Sequence, residues 1–109
     1  MKQLTEFEKQ DLASITAQGK TMLFFTATWC GDCRFIKPSM PAIEAEYPDI
    51  DFIEVDRDKF MDLAVELNIM GIPSFVAYQD GQEVGRFVNK DRKTKAEIEK
   101  FINNLAFTI

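Results

Sequence analysis

The side chains best suited to chemistry are two cysteines three positions apart, in the segment Trp29-Cys30-Gly31-Asp32-Cys33. The segment lies between a nearly unbroken apolar run, Thr21 to Ala27, and a stretch with helical periodicity. At the start of a helix this spacing brings two sulfurs into bonding range. Cys30, at the N-terminus, meets unpaired backbone N–H groups and the positive end of the helix dipole. These favour the thiolate, the reactive form of the side chain. Cys33, one turn in, is more buried and placed to attack a mixed disulfide on Cys30. Thiol–disulfide exchange is the first reading. Position alone leaves three others open: a structural disulfide, half of a metal or cluster site shared by two chains, and two inert buried thiols. A disulfide closing so few residues constrains the unfolded chain little.

The chain has no histidine and no further cysteine. A tetrahedral zinc site takes four ligands, typically Cys and His, so one copy closes none, and Cys-His nucleophilic pairs are excluded. The haem pattern C-x-x-C-H fails because Arg34 follows Cys33. A formal net charge of −5 over 109 residues argues against general affinity for nucleic acid or anionic lipid. The one basic cluster, Lys90-Asp91-Arg92-Lys93-Thr94-Lys95, reads as a solvated loop. No run of about 18 apolar residues occurs. The first six residues, Met1 to Glu6, lack the apolar segment of a signal peptide. The expectation is a single domain over residues 1–109, cytoplasmic, monomeric, with neither a nucleic-acid nor a membrane partner.

The elements that must position the cysteines follow from periodicity and breakers. Thr5-Glu6-Phe7-Glu8 has the form of a capping box and predicts a helix from about Glu6 to Gln18, stopped by Gly19; Lys2 to Leu4 predicts a short edge strand. The run Thr21 to Ala27 fits a central strand buried on both faces. Ile36, Met40, Ile43 and Tyr47 form one helical face, with a kink near Pro38. Asp51 to Val55 predicts a strand, and Phe60, Leu63, Ala64 and Leu67 a second amphipathic helix. Ser74 to Tyr78 and Glu83 to Val88 predict a hairpin through Asp80-Gly81. Thr94 caps a last helix with Ile98, Phe101, Ile102 and Leu105 inward. The order is α/β: a central mixed sheet of four to five strands with helices on both faces.

Ala27-Thr28-Trp29-Cys30-Gly31-Asp32-Cys33 resembles the active-site segment of the thioredoxin family, usually A-x-W-C-G-P-C, and Gly71-Ile72-Pro73-Ser74-Phe75 resembles its second signature, in which the proline follows a cis peptide bond. Pro38 and Asp80-Gly81 match its helix-kinking proline and hairpin turn. The resemblance spans nearly the whole chain. It implies the thioredoxin fold, a redox-active Cys30–Cys33 disulfide, no bound cofactor, and reduction of protein disulfides. Cys30 would be the nucleophile and Cys33 the resolving thiol. Trp29 would shield the site and pack beneath substrate, and Gly31 would support the turn. Pro73 would lie against the disulfide, leaving the Ile72 backbone to pair with an extended substrate segment. The implied electron donor is an NADPH-dependent thioredoxin reductase.

The sequence departs from the family pattern at four positions and by one insertion. Asp32 replaces the proline between the cysteines; loss of that proline makes the pair less reducing, whereas a carboxylate beside Cys30 disfavours its thiolate, so the two effects oppose. The family's buried Asp falls on Phe24, and the Lys that pairs with it falls on Glu54. Glu54 is therefore a candidate base for Cys33, set against a solvated strand residue. A groove glycine falls on Asn89, which tolerates positive φ, and about two residues are inserted before the last helix. These changes keep two alternatives in view: a binding module of the same fold with secondary redox activity, and a disulfide oxidase or isomerase.

Overall fold

The structure, a computed structural model, describes residues 1–5 and 12–108. Five strands form one sheet in the order β1-β3-β2-β4-β5. They are β1 (Lys2–Gln3), β2 (Lys20–Thr26), β3 (Ile50–Asp56), β4 (Ser74–Gln79) and β5 (Gln82–Phe87). Strand β2 runs parallel to β3 and antiparallel to β4, so both its edges are paired. Both its faces are also covered: Met22, Leu23, Phe24 and Phe25 have no exposed surface. That double burial is the reason for the unbroken apolar run.

The two faces carry separate clusters. On one, Leu23, Phe25, Ile53, Val55, Leu63 and Val76 pack together with both cysteines. On the other, Met22, Phe24, Phe52, Phe75 and Ala77 pack with Ile36, Met40, Ile43, Ile98 and Ile102. The helices are α1 (Leu12–Thr16), α2 (Gly31–Ile36), α3 (Met40–Glu46), α4 (Met61–Glu66) and α5 (Lys95–Asn103).

The predicted kink is a complete break. A 3₁₀ turn, Lys37–Ser39, separates α2 from α3, because Pro38 has no N–H to continue the ladder. Ile36, Met40 and Ile43 remain buried across the break. Asp80 and Gly81 both take positive φ, 51° and 86°, the twist that a two-residue hairpin requires. The Asp80 carboxylate accepts the Gly19 N–H at 2.9 Å. The capping box at Thr94 and Glu97 forms in both directions. The box predicted from Thr5 and the first half of its helix lie outside the described residues; Leu12–Thr16 and Gly19, at φ 72°, fit its second half. Among the described residues, no helix is long and apolar enough to cross a membrane.

Candidate active site

The C-terminal end of β2 delivers the chain into the cysteine segment. Cys30 is the N-cap of α2, with extended backbone, and its Sγ accepts the Cys33 N–H at 3.1 Å. One orphan donor of the first turn thus points at the sulfur. Cys30 and Cys33 form a disulfide with Cα atoms 5.3 Å apart. Cys30 is 6% exposed and Cys33 1%, so the first cysteine is the more accessible. The peptide bond between Ile72 and Pro73 is cis.

Cys30 borders a groove of about 410 Å³ whose walls include Trp29, Arg57, Met70 and Ile72. Trp29 is 58% exposed, which rules out a core role. Its indole N–H donates to Asp58 Oδ2 at 2.5 Å, and the Arg57 guanidinium lies over its ring at 5.2 Å. The ring is therefore held as an apolar plate beside Cys30. Arg57 and Asp58 were not singled out from sequence. The available signal was their position at the C-terminal end of a parallel strand, where open α/β sheets place their ligands.

A loop from the far end of the chain closes the same region. A Cβ on Gly71 would come within 2.5 Å of the Asn89 carbonyl carbon and the Lys90 nitrogen, so the loop backbone rests directly on Gly71. Ser74 Oγ donates to the Gly71 carbonyl at 2.5 Å, with the Asn89 carbonyl 3.4 Å away. Asn89 does not take positive φ, contrary to the expectation; it serves as an acceptor instead. Its side-chain oxygen takes the Asp91 N–H at 2.9 Å and a bond from Lys93 Nζ at 2.8 Å.

Lys93 also corrects the reading of the basic cluster as solvated: it has no exposed surface. Its ammonium donates further to the Asp91 carbonyl at 2.9 Å and lies 4.9 Å from the centre of the Phe87 ring. Burial pushes its pKa below the usual lysine value, opposed by Asp91, Glu97 and Asp32. The neighbouring Arg92 reaches the cysteine turn, where its Nε donates to Asp32 Oδ1 at 2.8 Å. Asp32 is thus not the lone charge that the sequence implied.

Glu54 is buried, not a solvated strand residue. Its carboxylate receives the Thr26 hydroxyl at 3.0 Å and pairs with Lys37 Nζ at 2.7 Å. These three residues line a cavity of about 240 Å³ with Asp56 and Lys59. Glu54 meets neither cysteine directly; the link is Lys37, whose backbone N–H donates to the Cys33 carbonyl. Beside Glu54 in the ladder, Phe24 stacks on Phe75 with ring centres 4.8 Å apart and planes 7° from parallel.

The family model described as Thioredoxin matches residues 2–104. The chain belongs to the thioredoxin family. Thioredoxin of Bos taurus is 32% identical over 101 residues, 93% of each chain. Thioredoxin Asp f 28 of Aspergillus fumigatus is 40% identical over 75 residues, 69% of each. Other relatives are longer: the match spans 59% of Thioredoxin H2 and 23% of the TPR repeat-containing thioredoxin TDX, both from Arabidopsis thaliana. The crystal structure of thioredoxin NaTrxh from Nicotiana alata superposes with a TM-score of 0.80 at 30% identity, over 94% of this chain and 89% of that one. Membership and the Cys30–Cys33 disulfide together support thiol–disulfide oxidoreductase activity.

Proposed function

We propose that the protein reduces disulfides in protein substrates. The observation that carries this is the Cys30–Cys33 disulfide at the N-terminus of α2, its more accessible cysteine opening on the groove. In the dithiol form, the Cys30 thiolate attacks one sulfur of a substrate disulfide. The Cys30–substrate bond forms, the substrate S–S bond breaks, and the departing thiolate takes a proton. Cys33 then loses its proton and attacks Cys30 Sγ; the internal disulfide forms and the second substrate thiolate leaves. Two electrons have passed to substrate. A thioredoxin reductase using NADPH restores the dithiol, and a cytoplasmic site suits a protein that must be kept reduced.

The other site residues take supporting parts. Trp29 supplies the apolar surface beneath substrate, and Gly31 borders the groove between the cysteines, where a Cβ would meet no atom closer than 3.9 Å. Ile72 presents its backbone to the substrate segment, and Pro73 packs beside the disulfide. Asp32 sets the charge next to Cys30. Glu54, buried and paired with Lys37, takes the Cys33 proton by way of water.

The test is reduction of a disulfide-bonded protein, with a dithiol as electron donor. The wild type turns over, Cys30→Ser does not, and Cys33→Ser accumulates mixed disulfide. Turnover surviving in Cys30→Ser would sink the reading. The equilibrium potential separates reductase from oxidase: a value near about −270 mV fits the former, and one above about −200 mV the latter. For Glu54, the Glu54→Gln variant slows resolution of the mixed disulfide with a changed pH profile; an unchanged profile removes Glu54 from the mechanism.

A further inference from the structure

We propose that Arg92 is an electrostatic positioning residue for Cys30: its guanidinium cancels the Asp32 carboxylate that the active-site turn places beside the thiolate. This rests on the reading of Cys30 as the exchanging thiolate.

Three observations converge. Asp32 and Cys30 border the same groove, two residues apart on the first turn of α2. The Asp32 carboxylate is held at 2.8 Å by Arg92, sixty residues away in sequence. Arg92 is itself fixed twice. Its guanidinium lies 4.3 Å from the centre of the half-exposed Phe35 ring. Its neighbour Lys93 is buried and bonded to Asn89 and Asp91. A free surface arginine samples many rotamers, and an isolated surface pair contributes little. Here the stacking surface and the anchored loop hold the cation over the carboxylate.

The electrostatic consequence is one of sign. A lone carboxylate on the first turn opposes a thiolate at the N-cap. A carboxylate with a cation at bonding distance acts on the thiolate only as a small dipole. The other charges around Cys30 are Arg57, which pairs with Asp58, together with Lys90 on the groove and Arg34, which donates to the Thr28 carbonyl. Lys93 adds a further cation behind the loop. Arg57, Lys90 and Arg34 form a constant background when Arg92 is changed; Lys93 feels Asp32 through space but keeps its own bonds to Asn89 and Asp91.

The experiment is the pH dependence of Cys30 alkylation in a Cys33→Ser background. Below the Cys30 pKa, Arg92→Met lowers the thiolate fraction about two- to fivefold, the range of a partly exposed ion pair. Asp32→Asn raises it by a similar factor, because Arg92 is then unopposed. The double variant returns close to wild type, and Arg92→Lys restores part of the effect. Salt at about 1 M shrinks all the differences. In proteins with both cysteines, measured above the Cys30 pKa, Arg92→Met makes the potential more negative by about 10–20 mV, the same factor converted at 29.6 mV per decade. A loop that only tethers structure does not produce shifts of opposite sign that cancel. An Arg92→Met protein with an unchanged Cys30 titration overturns the proposal, as do single variants that shift in the same direction. Failure of the catalytic reading shows separately, as turnover surviving in Cys30→Ser, and takes this inference with it.

Discussion

Replacing Lys93 by Met tests whether a buried ammonium holds the loop over the active site. The lysine donates to Asn89 Oδ1 at 2.8 Å and to the Asp91 carbonyl at 2.9 Å, with a longer contact of 3.4 Å to the Asn89 carbonyl. Bonds to a charged group are worth about 1.5–3 kcal/mol each. Against them stands the burial of the ammonium, of the order of several kcal/mol. Met has similar length and keeps the contact with Phe87. What remains is the cost of acceptors left without a donor, about 1–3 kcal/mol. Asn89 is half-buried and Asp91 exposed, so water replaces part of the loss and the low end applies, about 1–2 kcal/mol. The melting temperature should fall by roughly 4–8 °C. The pH dependence has a defined sign. Burial lowers the Lys93 pKa in the folded state, so the unfolded chain binds that proton more tightly. Wild-type stability therefore gains as pH rises from the lowered value towards about 10.4, the value of an unperturbed lysine. Lys93→Met lacks this gain, and the gap between the proteins widens over that window. Thermal unfolding at pH 7 and pH 10 checks both statements. A variant as stable as wild type at pH 7, or a gap that narrows with pH, would refute the reasoning: water would then satisfy the freed acceptors in full.

Three other substitutions follow from the packing. Gly71→Ala drives a Cβ into the Asn89 and Lys90 backbone at 2.5 Å; overpacking of this kind costs about 1–3 kcal/mol. Displacing the loop should cost more in exchange rate than in urea midpoint. Phe24→Ala removes one partner of the stacked pair at the centre of the sheet and should cost about 3–5 kcal/mol in chemical denaturation. Thr94→Ala breaks the capping box at α5; a loss of about 1 kcal/mol in denaturation is expected, with exchange activity retained.

Much of the frame was legible in the chain. The apolar run of β2, the amphipathic faces around Ile36 and Ile98, and the Asp80-Gly81 turn are local patterns, and each produced the element it predicts. The proline near residue 38 was read correctly as a disturbance but underestimated, since two prolines within four residues leave no continuous ladder between α2 and α3. The cysteine pair was legible because its chemistry depends on adjacent residues and on one helix terminus. Asn89 was misread because its backbone answers to a partner segment, Gly71 and Ser74, that sequence neighbours do not reveal, and Lys93 because its burial depends on the loop folding back over the Phe87 ring.

By itself, then, the sequence determined what depends on short-range periodicity and on backbone limits at Gly, Pro and Asp: the strands, helices and turns, and a redox pair at a helix start. Tertiary structure alone decided which charges meet. Asp32 and Arg92 are sixty residues apart, Glu54 and Lys37 seventeen, and Trp29 and Asp58 twenty-nine. A charge acts on whatever lies within a few ångströms, not on its neighbours along the chain. The electrostatics of the active site are therefore a property of the folded sheet, which brings the ends of β2 and β3, the Gly71 loop and the Arg92 loop together at one end.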